Sequence, residues 1–266
     1  MKKTYSILLI SLLSVNIMSC SDDDSSGQSS SITLEFDNIV GTTNLELSTS
    51  NMPYTNSKGE AYKLTRLTYY VSNIKLKRAD GTVFTDPVKS DGSAGYYLVD
   101  ENDAESQEIT VENVPSGDYT EVTFTIGVDA TQVNHAAQTG ALDPAKGLFW
   151  SWDAGYIFIA LEGVSPVSTE PENVFQYYVG GYKEDAASNQ VNNIKTITLS
   201  FNGNPAPIRP AHEPEVHLLF DVNKFLNGPG EQVTFSSNAS RHTSKASQNL
   251  SGNIAASFVV DHIHAN

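Results

Sequence analysis

The sequence predicts an all-β protein, an antiparallel β-sandwich in a single domain with a long functional loop and one short helix. Three observations lead there. Apolar residues recur at every second position over short runs, turn chemistry separates those runs, and no long stretch repeats at the helical period. Ile32, Leu34 and Phe36 alternate with polar neighbours, as do Ile109 and Val111, and then Val122, Phe124 and Ile126. In "NIKTITLSF" the apolar face is Ile197, Leu199 and Phe201, opposite Ile194, Thr196, Thr198 and Ser200. Side chains of a strand point alternately to its two faces, so each run reads as a strand with one buried side. Asp80-Gly81, Pro115-Ser116-Gly117, Asn202-Gly203 and Gly228-Pro229-Gly230 supply the turns. The short helix is placed within Ser244 to Ala256, and no internal repeat or proline-rich linker divides the chain.

The first residues follow a different logic. "MKKTYSILLISLLSVNIMSC" begins with Lys2 and Lys3, runs apolar from Ile7 to Ile17 and closes on small residues at Cys20. That apolar core is about half of the ~20 residues a spanning helix needs, so residues 1–19 read as an export signal. The ending resembles the lipobox at which bacterial lipoproteins are cut, which would make Cys20 the lipidated first residue of the mature chain. Because Cys20 is the sole cysteine, thiolate chemistry and disulfides are excluded from the rest. Residues 20–30, with "SDDDSSGQSS", hold no apolar residue beyond the cysteine and read as an acidic, serine-rich tether. Asp22, Asp24 and Ser26 echo half a calcium loop without the closing Glu; the run also resembles surface-export signals of lipoproteins in some Gram-negative bacteria. The expected location is the periplasmic side of a membrane or the cell surface, with residues 31–266 forming the domain.

Loss of Lys2 and Lys3 with the signal leaves 14 basic residues against 31 acidic ones, a net charge of −17. Nucleic acid is not an expected partner of such a chain. No Ser/His/Asp nucleophile motif, phosphate-binding glycine loop or HExxH zinc helix occurs, so the protein is expected not to be an enzyme.

Chemistry concentrates in histidines and tryptophans. "SFVVDHIHAN" places Phe258, Val260, His262 and His264 on one strand face and Val259, Asp261 and Ile263 on the other. Residues two apart on a strand lie roughly 6.5–7 Å apart along the backbone, close enough for both rings to lean on one metal ion. Two solvated histidines at a strand end are the competing reading, and Asp261 reads as an anchor. In "EVHLLFDV", His217 shares a face with Glu215, Leu219 and Asp221, opposite the apolar Val216, Leu218, Phe220 and Val222. It is either a third ligand or an exposed polar residue. His135 sits in a long polar loop, while His212 and His242 read as solvated. Unconstrained nitrogen sites favour Cu(II) among divalent ions, although imidazole suits zinc, nickel and iron as well.

"GLFWSWDAGYIF" carries both tryptophans, Trp150 and Trp152, one residue apart and followed by Tyr156 and Phe158. Either they pack in an aromatic core or they stand where a loop enters a strand and an indole reaches the surface.

The run "IGVDATQVNHAAQTGALDPAKGLFWSWDAGYIFIALEG", preceded by "YYVSNIKL" and "VPSGDYTEVTFTIGVD" and closed by "FVVDHIH", resembles the MbnP-like family of exported copper-associated proteins. The most specific part is the Trp-x-Trp-x-x-Gly-Tyr segment. The resemblance implies a periplasmic or surface β-sandwich that binds copper through histidines. In some relatives a partner di-haem peroxidase oxidises a tryptophan to kynurenine, which would make Trp150 or Trp152 a substrate for modification. Tyr178 in "FQYYVGG" stands where relatives commonly have histidine, and Leu148 where a methionine is common, leaving Met52 as the only thioether of the mature chain. The resulting expectation is a lipoprotein that captures or delivers copper through His262, His264 and His217. The alternative is a surface glycan- or protein-binding module with Trp150, Trp152 and Tyr156 as a stacking platform; a structural subunit of a surface assembly would bind neither.

Overall fold

The computed structural model describes residues 27–135, 138–151 and 154–265. The expected signal, Cys20, most of the tether and Trp152 therefore lie outside the described residues. Among those residues, no helix is long and apolar enough to cross a membrane.

Strands dominate, as the alternation predicts, and they form two facing sheets. The smaller has five strands and runs Phe258–His264, Glu215–Asp221, Ser29–Val40, with Thr43–Asn44 and Glu108–Pro115 both pairing the last of these. The larger has eleven strands, and its spine is Lys195–Ser200, Gly117–Ile126, Ala61–Arg78, Gly155–Val164 and Val174–Gly180. Most pairs are antiparallel. Two are not: Ser29–Val40 runs parallel to Glu215–Asp221, and Val174–Gly180 parallel to Ser240–Arg241. A parallel pair requires a long connection between its members, and here almost the whole larger sheet supplies it.

The alternating residues meet between the sheets. Phe36 and Phe258 of the smaller sheet touch Phe124 of the larger at 5.5 and 5.3 Å between ring centroids, edge to face in both cases. Tyr69 of the larger sheet lies against Phe220 at 5.2 Å. Edge-to-face contacts of this kind add about 0.5–1.5 kcal/mol each beyond the area they bury. One polar chain crosses the same layer: the Tyr69 hydroxyl donates to Asn38 Oδ1 at 3.0 Å, and Asn38 Nδ2 donates to Glu101 at 2.8 Å.

Helices are short and number more than the one expected. Where one was expected within Ser244 to Ala256 there are two, Gln248–Ser251 and Ile254–Ser257, the second ending one residue past that range. Between them the Asn253 side chain is fully buried, donating to Phe225 O and Glu231 O and accepting from the Gly230 and Glu231 amides, which commits that corner to a neighbouring loop. Asp221 ends its strand by capping a further helix, Val222–Leu226, through the Asn223 amide at 2.9 Å. Val222 thus belongs to a helix rather than to the preceding strand, while remaining buried with Val216, Leu218 and Phe220.

A histidine cluster on the smaller sheet

The outward face of the smaller sheet is assembled by register. Glu35 pairs with His217, Thr33 with Glu215, and Glu215 with His264. Paired residues project to the same side, so His217, Glu35, Glu215 and His264 rise together. Their inward neighbours Leu34, Val216 and Leu218 are wholly buried.

A bulge completes the cluster and corrects one expectation. Val216 pairs with Ile263 but Leu218 pairs with Val260, so two residues, Asp261 and His262, oppose the single His217. The inserted residue reverses the side-chain parity of the strand at that point. Phe258 and Val260 consequently face the core with Phe220 and Leu218, whereas His262 and His264 face outward; the four do not share one face. Asp261 turns outward too, and its carboxylate meets His262 Nδ1 at 2.7 Å.

The three imidazoles converge. His217 and His262 stack at 4.1 Å between centroids, His264 stands edge-on to both, and one nitrogen from each ring lies within 4.8 Å of the others. Nε2 of His262 and Nε2 of His264 are 3.0 Å apart. Ligand nitrogens on a tetrahedral ion at 2.0–2.1 Å stand about 3.3 Å apart, so little movement separates this arrangement from a coordinating one.

Carboxylates fix the tautomers that coordination needs. His217 Nδ1 lies 3.0 Å from Asp37 and 3.2 Å from Glu35, and both are acceptors for an Nδ1 proton. His217 Nε2 is left with its lone pair, buried and without a hydrogen-bond partner. An orphaned buried acceptor costs stability unless something fills it, and a cation is one such filler. Asp261 acts on His262 in the same way, holding Nδ1 and leaving Nε2 toward His264. Partial burial, a hydrogen bond with Glu215 and the Asp37 charge push the Glu35 carboxyl up to about 7.

The aromatic segment stands elsewhere. Phe149–Ser151 pairs with Gly155–Val164 on the larger sheet, and the half-buried Trp150 packs on Gly180, where an added Cβ would come within 2.7 Å of the indole. Trp150 and the exposed His242 line a cavity of about 400 Å³. Tyr178, at the place where relatives carry histidine, meets His242 at 5.0 Å between ring centroids in a tilted contact and donates its hydroxyl to Glu162 at 2.9 Å. Tyr156 is completely buried and donates to Leu142 O, so it offers no surface to a stacking ligand. Leu148 is buried as well, His212 is exposed, and His135 is half-buried with its carbonyl accepting from Gln138.

Sequence reasoning found the three histidines by strand parity. It missed Glu35 and Asp37, whose role depends on a strand about 180 residues away in sequence from His217. Their alternation with Leu34 and Phe36 marked them as outward-facing, but nothing local assigned them a partner.

A sequence model of the MbnP family matches residues 29–246. MbnP from Methylosinus trichosporium has a similar fold, with a TM-score of 0.54 and 18% identity over 80% of this chain and 83% of that one. No curated protein matches the chain. His217 lies inside the matched family segment; His262 and His264 lie beyond its end.

Proposed function

The chain belongs to the MbnP family, and on that premise we propose that it is an exported, lipid-anchored protein that captures or delivers copper through His217, His262 and His264, without being an enzyme. The observation that carries this reading is the buried, unpartnered Nε2 of His217 in a cluster where one nitrogen from each of three imidazoles lies within 4.8 Å of the others. Because two of these histidines fall outside the matched segment, the proposal rests on their geometry rather than on family likeness. Copper bound there would be held by nitrogen donors whose opposite ring atoms, on His217 and His262, are tied to carboxylates.

The test is metal content. The full-length protein loaded with copper and desalted should retain one ion per chain, and His217→Ala should retain none while keeping its circular dichroism. Equal retention by the variant would overturn the assignment. The anchor has its own test, since Cys20→Ala should move the protein from the membrane to the soluble fraction. Oxidation of Trp150 or Trp152 to kynurenine by a di-haem peroxidase-type partner belongs to the same reading, supported by the half-exposed position of Trp150 beside an open cavity.

A further inference from the structure

Three imidazoles leave one position free on a four-coordinate ion, and the surroundings of the cluster offer one residue for it. Glu215 pairs directly with His264 on the outward face, and its Oε2 lies 4.0 Å from the orphaned His217 Nε2. Glu35, Glu215 and His217 also form a metal-competent group of their own that shares His217 with the histidine trio. The remaining carboxylates are engaged at Nδ1 atoms: Asp37 and Glu35 lie against His217 Nδ1, and Asp261 against His262 Nδ1.

We propose that Glu215 is the fourth ligand, and that the site is a three-histidine, one-carboxylate centre selective for a divalent cation, Cu(II) or Zn(II), over Cu(I). This deepens the copper reading and rests on it. The 4.0 Å separation exceeds the about 3.3 Å expected between two donors on one tetrahedral ion by only a small side-chain rotation. Glu215 is half-buried on the sheet face, between the His264 strand and the Thr33 strand, and the rotation would exchange its hydrogen bond with Glu35 for the metal. Chemistry then sets the selectivity. A carboxylate is a hard oxygen donor that suits divalent ions, whereas Cu(I) prefers soft thioether or thiolate sulfur, and none is placed among these ligands. Four carboxylates, of Glu35, Asp37, Glu215 and Asp261, lie within 4.0 Å of a His217 or His262 nitrogen, so the local field also favours the higher charge.

The experiment compares the full-length protein with Glu215→Gln and Glu108→Gln. Glu108 pairs with Glu35 on the same outward face and is exposed, so it reports the effect of removing a nearby charge. Cu(II) and Zn(II) affinities are measured by chelator competition, Cu(I) affinity by competition with bicinchoninate, and the Cu(II) ligand set by electron paramagnetic resonance. Glu215→Gln should weaken Cu(II) and Zn(II) on the order of tenfold or more, change the Cu(II) spectrum, and leave Cu(I) within about twofold. Glu108→Gln should stay within about twofold for every ion. Unchanged Cu(II) affinity and spectrum in Glu215→Gln, or an equal loss in Glu108→Gln, would overturn the fourth ligand while leaving the histidine site standing. A protein that binds no copper in either oxidation state would end both readings, and tighter Cu(I) than Cu(II) binding would overturn the selectivity alone.

Discussion

The imidazoles of His217 and His262 stack 13° from parallel with their centroids 4.1 Å apart, although one belongs to a central strand of the sheet and the other to a bulged edge strand. Two protonated rings at that distance repel, while two neutral rings each keep a nitrogen lone pair available to a metal. Copper must therefore compete with protons. Binding should release protons and weaken steadily as the solution is acidified, and calorimetry in buffers of different ionisation enthalpy should read that release directly. Copper uptake with no proton release would contradict coordination by these rings.

Asp261 sets the orientation of His262 without itself pointing at the cluster's centre. Asp261→Asn preserves size and leaves an exposed strand residue in place, yet it removes the charged acceptor at Nδ1. Copper affinity should fall between about 10- and 100-fold with thermal stability unchanged. A matching loss in melting temperature would mean that the residue serves the fold and not the ring.

Glu101 gives stability its own pH dependence. Burial above all, with the charges of Asp100 and Asp37, pushes its carboxyl up to about 7, against the lowering effect of the Asn38 hydrogen bond. A raised carboxyl favours the folded state while protonated, so its contribution is complete below the ordinary value of 4.5 and is lost as pH rises through about 7. Glu101→Gln can still accept from Asn38 and carries no charge. Melting curves at pH 5 and pH 8 should show a fall for the native protein and a smaller fall for the variant, with Glu35 contributing the remaining slope in the same direction.

Trp150 and the histidine cluster stand on different sheets, and this separates two questions that the sequence joined. Trp150→Phe should leave copper affinity at the cluster unaltered. Independently, peptide mass spectrometry across residues 147–161 of protein from its own organism should reveal kynurenine at Trp150 or Trp152 if a partner oxidase acts on the segment. Two intact indoles in that material would remove the modification from the reading.

Much of this architecture was legible in the chain. Alternation located Ser29–Val40, Gly117–Ile126 and Lys195–Ser200, because a half-buried strand writes its two faces into its sequence. Parity alone put His262 beside His264 and set His217 opposite its apolar neighbours. The bulge was not legible, because an extra residue leaves no trace in composition, and so Asp261 was assigned to the wrong face and Phe258 and Val260 were grouped with the two histidines instead of with the core. The parallel pairing of the first strand with Glu215–Asp221 was also hidden, since strand direction is set by long-range packing rather than by local pattern. Glu35 and Asp37 were missed with it.

That same parallel pairing fixes when the site can exist. Glu35 and His217 are 182 positions apart, and most of the strands between them belong to the larger sheet. Contacts of such long sequence separation are among the last a chain can make, because each must outweigh the entropy of closing a large loop. Before that pairing forms, the His262 and His264 pair lacks the His217 ring and the carboxylates of the first strand. If the cluster holds copper as proposed, tight capture would require this long-range pairing, and an unfolded chain would lack it.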